Sequence, residues 1–204
     1  MKPIFEFIVE IPKSHNDEVV FASGLKLKFD TRYNQGQHVN RIGKVVAVPL
    51  KFESKIREGF IVLIDKNLVT YQVYNDTEIN KSVFLVDVEK GWYRVAANMI
   101  YLYKENMEAD WVCPSPFMFL APIKNEIQTT ESGLEHKATE DYKGNKPQYG
   151  TVEFLNEKAQ EMGIQKGDTV YYKKDREYEF VVDGKLLYHM ETDDVLAFVT
   201  EQVI

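Results

Sequence analysis

Cysteine is nearly absent from this chain of 204 residues: Cys113 stands alone, so no disulfide can form within it and a reducing compartment is expected. Long apolar runs are missing as well, and none approaches the ~20 residues that a membrane-spanning helix requires. Positive charge is in deficit, with 25 Lys and Arg against 32 Asp and Glu, net −7, which speaks against a nucleic-acid partner. No GxGxxG fingerprint occurs, and Ser and His never fall in a nucleophile-elbow context. The four histidines, His15, His38, His136 and His189, are scattered and share the chain with one cysteine, so zinc-site spacing is lacking. These absences predict a protein that is not an enzyme and needs no cofactor. Glu6 and Glu10 interrupt the apolar N-terminal stretch, which argues against a secretory leader and makes the cytoplasm the expected location.

What the chain does have is aromatic and β-branched residues in short runs. Tyr and Phe number 12 each, and with Val and Ile they favour strands. Period-two patterns or short buried runs predict strands over Ile4–Ile11, Gly43–Val48, Phe60–Ile64, Val69–Tyr74, Ser82–Val88, Tyr93–Val95 and Met99–Tyr103. In the second half they fall over Phe117–Pro122, Gly150–Phe154, Thr169–Tyr172, Tyr178–Val182, Leu186–His189 and Val195–Val199. Asp183-Gly184 is a hairpin turn signal. Asn156–Met162 is the one helical stretch, with Asn156 to cap it and Gly163 to end it. The fold class is therefore all-β. Two polar segments, His15–Ile42 and Asn125–Gln148, interrupt the strands for longer than an ordinary loop, which marks them as functional or disordered.

Each long loop follows the first strand of its half, and other segments repeat in the same order. FIVEIPKS (Phe7–Ser14) matches MFLAPIKN (Met118–Asn125), and Ser23-Gly24-Leu25 matches Ser132-Gly133-Leu134. RIGKVVAV (Arg41–Val48) matches QYGTVEFL (Gln148–Leu155), and IREGFIVL (Ile56–Leu63) matches IQKGDTVY (Ile164–Tyr171). WYRVAANMIYLY (Trp92–Tyr103) parallels LYHMETDDVLAFV (Leu187–Val199). Two domains are expected, 1–108 and 109–204, the first with an inserted hairpin near 75–90. The first carries 15 Lys and Arg against 14 Asp and Glu, net +1; the second, with 10 against 18, is net −8.

The order of these elements resembles the GroES co-chaperonin family, most closely in GIQKGDTVYY (Gly163–Tyr172) and ETDDVLAFV (Glu191–Val199). In layout the chain is similar to the double-domain co-chaperonins of chloroplasts. Pro49–Lys55 and Asn156–Ile164 lack the glycine-rich roof hairpin, as in phage-encoded members. The resemblance implies two tandem GroES-like small, partly open β-barrels with long mobile loops. It implies a homo-oligomeric ring that caps a large ATP-bound chaperonin of the GroEL type, with unfolded client enclosed indirectly. Edge strands would join the ring, the first strand of one barrel pairing with the terminal strand of the next. Three chains give six barrels and four give eight.

Carried onto this sequence, the chaperonin-binding motif is Gly24, Leu25, Lys26 and Leu27, with the two leucines as outward anchors. The second copy is Gly133, Leu134, Glu135 and His136, where His136 stands in place of the second aliphatic residue. A structural or assembly β-barrel, of viral type for instance, that kept the fold without binding a chaperonin is the alternative. An enzyme with a cleft between the barrels is a more distant one. Glu191, Asp193 and Asp194 fit a turn before the terminal strand rather than acid–base work, and Cys113, followed by Pro114 and Pro116, is expected at the junction between barrels.

Overall fold

The computed structural model describes residues 2–200 except 14, 17, 22, 29–38, 71, 75–76, 81, 125–127, 130–134 and 137–143. The chain divides into two compact units, Met1–Trp111 and Val112–Ile204, and Cys113 therefore lies just inside the second.

In the first unit the strands are β1 (Phe7–Glu10), β2 (Glu18–Val20), β3 (Lys26–Lys28), β4 (Ile42–Ala47) and β5 (Ile61–Ile64), then β6 (Gln72–Tyr74), β7 (Thr77–Asn80), β8 (Leu85–Asp87), β9 (Trp92–Val95) and β10 (Ile100–Lys104). The second holds β11 (Phe117–Lys124), β12 (Gln128–Thr129), β13 (Glu135–His136), β14 (Asn145–Phe154), helix α1 (Glu157–Glu161), β15 (Thr169–Tyr172), β16 (Tyr178–Val182), β17 (Lys185–Glu191) and β18 (Val195–Val199). Each unit is built on one antiparallel six-stranded sheet, ordered β10-β5-β4-β1-β9-β8 in the first and β18-β15-β14-β11-β17-β16 in the second. The two orders are the same once each strand is matched to its counterpart. Neither sheet closes on itself, so each unit is an open barrel with two edges.

The match extends to single residues. A bulge falls between Ile8 and Val9 where β1 meets β4, and between Phe119 and Leu120 where β11 meets β14. Gly59, at φ +89°, donates to the Val45 carbonyl, as Gly167, at φ +95°, donates to that of Val152. A 3-10 turn precedes each last strand, Ala97–Met99 and Thr192–Asp194. The cores are composed at equivalent places: Phe7, Val9, Val45, Val62 and Tyr93 in the first, Met118, Leu120, Val152, Val170 and Tyr188 in the second.

Gly43 and Gly150 show why these positions admit no side chain. A Cβ on Gly43 would lie 2.4 Å from Val9 Cγ1, and one on Gly150 would lie 2.8 Å from Leu120 Cβ, with strand backbone close behind in both. Overpacking of this kind costs about 1–3 kcal/mol. Gly43→Ala and Gly150→Ala are each expected to lower the thermal midpoint by several degrees, read by circular dichroism. An unchanged midpoint in both would contradict this packing.

Asn156 caps α1 by accepting from Ala159 N, and its amide donates to the Phe117 carbonyl and to Thr192 Oγ1 at 2.6 and 2.7 Å. One buried side chain thus ties the helix to β11 and to the last turn. Asp168, also buried, accepts from Gln165 N at 2.8 Å and closes the turn before β15. At the hairpin between β16 and β17, Asp183 and Gly184 both take positive φ, as a type I′ turn requires.

Four expectations need correction. The segments His15–Ile42 and Asn125–Gln148 are not strandless: they hold the hairpins β2–β3 and β12–β13, and β14 starts at Asn145. The inserted hairpin of the first unit is β6–β7, which begins at Gln72, before the 75–90 window, and ends at Asn80, inside it. Leu85–Asp87 instead forms the outer strand of the main sheet. The predicted strand Val69–Tyr74 is shortened by a 3-10 turn at Lys66–Leu68, whose Asp65 cap accepts from Asn67 N. Finally, the first strand is no edge in either unit, because β1 lies between β4 and β9 and β11 between β14 and β17.

Candidate functional site

The β2–β3 hairpin carries the first motif. Its register sets Glu18 opposite Lys28, Val19 opposite Leu27 and Val20 opposite Lys26. Phe21 N donates to the Leu25 carbonyl, and Gly24 N donates to the Phe21 carbonyl, both at 2.8 Å. This is a three-residue hairpin loop ending in a residue with left-handed backbone, and Gly24 fills that place at φ +82°. The glycine of the motif is thus a turn residue, and it fixes which side chains leave the tip together. Leu25 is 65% exposed and Leu27 47% exposed. Lys26 points from the opposite face and pairs with Glu18 at 3.2 Å.

Sequence reasoning missed Phe21, which is 47% exposed on the other strand; its neighbour Val20, 58% exposed, lies on the opposite face with Lys26. The signal was present: the apolar run Val19-Val20-Phe21 before Ser23-Gly24 and the alternation Leu25–Lys28 after it make a hairpin pattern.

In the second unit Gly133 and Leu134 lie outside the described residues. Glu135 and His136 form β13, with Gln128 opposite His136 and Thr129 opposite Glu135. Five residues separate Thr129 from Glu135, as five separate Val20 from Lys26. The Ser-Gly-Leu motif therefore occupies the same place between the strands of both hairpins.

A second candidate surface is the edge strand β18. Val195 is half-buried and Leu196, Ala197, Phe198 and Val199 are exposed, so both faces of an uncharged edge strand meet solvent. Its counterpart β10 is mostly buried; there Lys104 donates to the Met107 carbonyl and its ammonium lies over the Trp111 ring.

The carboxylates before β18 are tied structurally. Lys158 donates to Asp193 and thereby holds that carboxyl below its usual range, while Asp194 pairs with Lys173 and Arg176. Among the described residues no group of three His, Cys, Asp or Glu could hold a metal ion. His189 lies among Phe117, Phe119 and Phe180, and His15 forms an isolated bridge with Val39; the side chains of His38 and His136 lie outside the description.

The buried thiol of Cys113 lies 3.0 Å from the Phe117 carbonyl, and burial pushes its pKa far up. Because the thiolate is the reactive form, Cys113 is expected to resist alkylation at pH 8 in the folded protein and to react fully in denaturant. Rapid modification of the native protein would contradict its placement.

Neither Pro49–Lys55 nor Asn156–Ile164 forms a β-hairpin: the second holds α1, and in the first Leu50 N and Lys51 N donate to the Pro3 and Ile4 carbonyls.

No curated protein matches the chain. Residues 121–199, nearly the whole second unit from β11 through β18, match the family model described as the chaperonin 10 Kd subunit, which supports a co-chaperonin of the GroES type.

Proposed function

We propose that this protein is a tandem co-chaperonin, two fused copies of one GroES-like barrel, that caps an ATP-bound chaperonin ring of the GroEL type and encloses folding client. The observation that carries this reading is the Ser-Gly-Leu motif at the turn of an exposed hairpin that follows the first strand of a barrel, repeated in a unit that matches the chaperonin 10 Kd family model. The shared strand order, bulge position and glycine pairs support a duplication.

The physics suits the task. An exposed leucine supplies ~1.5–3 kcal/mol when buried in a partner, while ordering chain costs ~1–2 kcal/mol per residue. One hairpin alone binds weakly; several on one ring bind tightly and still release. Gly24, Leu25, Lys26 and Leu27 form the principal grip, and Gly133, Leu134, Glu135 and His136 a weaker one. The chains join through β18, whose uncharged open edge is the best acceptor for an added strand. Because β1 and β11 are interior, the donor strand is not the first strand of a barrel but an extended segment outside the main sheets. The single buried cysteine fits action in a reducing cytoplasm.

The test is chaperonin ATP hydrolysis with and without the protein. Inhibition that saturates at a fixed ratio of chains to rings is expected; hydrolysis unaffected at any ratio favours the structural-barrel alternative.

A further inference from the structure

The hairpin geometry carries the grip beyond the two leucines. Opposed residues on paired strands point to the same face, and successive residues to opposite faces. Phe21 stands opposite Leu25, and the Val19 position opposite Leu27, so Phe21, Leu25 and Leu27 project together. Val20, Glu18, Lys26 and Lys28 project the other way. One face is therefore an exposed apolar triad around the turn, and the other carries an ion pair and a further cation. A side chain directly across a strand pair lies about 5 Å away, which places the Phe21 ring beside Leu25 and makes the three one contiguous surface.

We propose that Phe21 is a third anchor, and that the docking element is the whole apolar face of this hairpin rather than a linear leucine motif. This rests on the co-chaperonin reading and specifies its partner surface: a groove with apolar walls, deep enough for an aromatic ring, and acidic at its rim. The acidic rim follows from the charge of the hairpin, where Lys26 and Lys28 outnumber Glu18. The second hairpin differs at this point, since Thr130 occupies the place of Phe21 in sequence, as His136 does that of Leu27. Two of three anchors are then missing from it, and a chain presents one strong hairpin and one weak one.

The experiment measures binding of the full-length protein to an ATP-loaded chaperonin by inhibition of hydrolysis, comparing wild type with Phe21→Ala, Phe21→Leu, Val20→Ala and Leu25→Asp. Val20 is as exposed as Phe21 and adjacent to it but faces the other way, so it controls for apolar area in general. Phe21→Ala is expected to weaken binding about tenfold or more, Phe21→Leu to recover most of it, and Val20→Ala to stay within about twofold. Normal binding by Phe21→Ala together with loss in Leu25→Asp overturns this inference and leaves the co-chaperonin reading standing. Equal losses in Phe21→Ala and Val20→Ala overturn it too, since facing would not matter. If wild type binds no chaperonin but self-associates through Phe21, a second copy is the occupant and both readings fall.

Discussion

Replacing Leu25 and Leu27 together by Asp is expected to abolish inhibition of chaperonin ATP hydrolysis while leaving the fold unchanged. The side chains are exposed and touch neither core, so the thermal midpoint and the far-ultraviolet spectrum stay as in wild type. Binding is another matter. Each leucine contributes ~1.5–3 kcal/mol when buried, and each Asp carries a charge into an apolar groove at further cost. The loss is above ~3 kcal/mol for each hairpin, more than a hundredfold in its affinity, and it multiplies across the hairpins of a ring. Leu134→Asp is expected to act more weakly, because its hairpin offers His136 where the first offers Leu27. Wild-type inhibition by the double variant would remove the motif from the interface.

The second large effect concerns assembly. Leu196 and Phe198 leave one face of β18, and Ala197 and Val199 leave the other; all are exposed, and among the described residues only β15 pairs with the strand. Edge strands left open in this way invite pairing with another chain, and charges on the edge are the natural means of preventing it. Leu196→Lys/Phe198→Lys is therefore expected to convert the assembly to single chains, read by sedimentation velocity, with little change in the stability of the second unit. Ring-sized species in the variant would show that the chains join elsewhere. Loss of the assembly should also lower chaperonin affinity steeply even though both hairpins are intact, because multivalency goes with it. The same lysines introduced into β10, at Ile100 or Leu102, would unfold the first unit, since both residues are fully buried.

Much of the framework was readable from residue order. Gly43 and Gly150 align because each lies flat against the first strand of its sheet, and Gly59 and Gly167 because each needs a positive φ before the next strand. Asn156 and Gly163 bounded the α-helix seen among the described residues for reasons of capping alone. The hairpins in the long loops were harder to see. Their strands are only two or three residues long, and Lys26, Leu27 and Lys28 of β3 are all exposed, so hydrophobic periodicity that marks a core-facing strand is weak there. Pro147 disguised the start of β14, because proline inside a run demotes a strand in sequence, yet here the strand runs on from Asn145. Strand order was not legible at all. That β1 and β11 are interior follows from pairing between residues distant in sequence, Phe7 with Val95 and Phe117 with Glu191, which no local pattern encodes. Of the candidate site, Leu25 and Leu27 were singled out through the family resemblance; Phe21 was not, since its place on the apolar face depends on the turn that sets it opposite Leu25.

The most direct measurement of the central claim is co-sedimentation of the wild-type protein with a GroEL-type chaperonin ring in the presence and absence of ATP. The account predicts that the protein travels with the ring in ATP at a fixed stoichiometry and is released when nucleotide is removed; a protein that stays at its own sedimentation position in both conditions would contradict it.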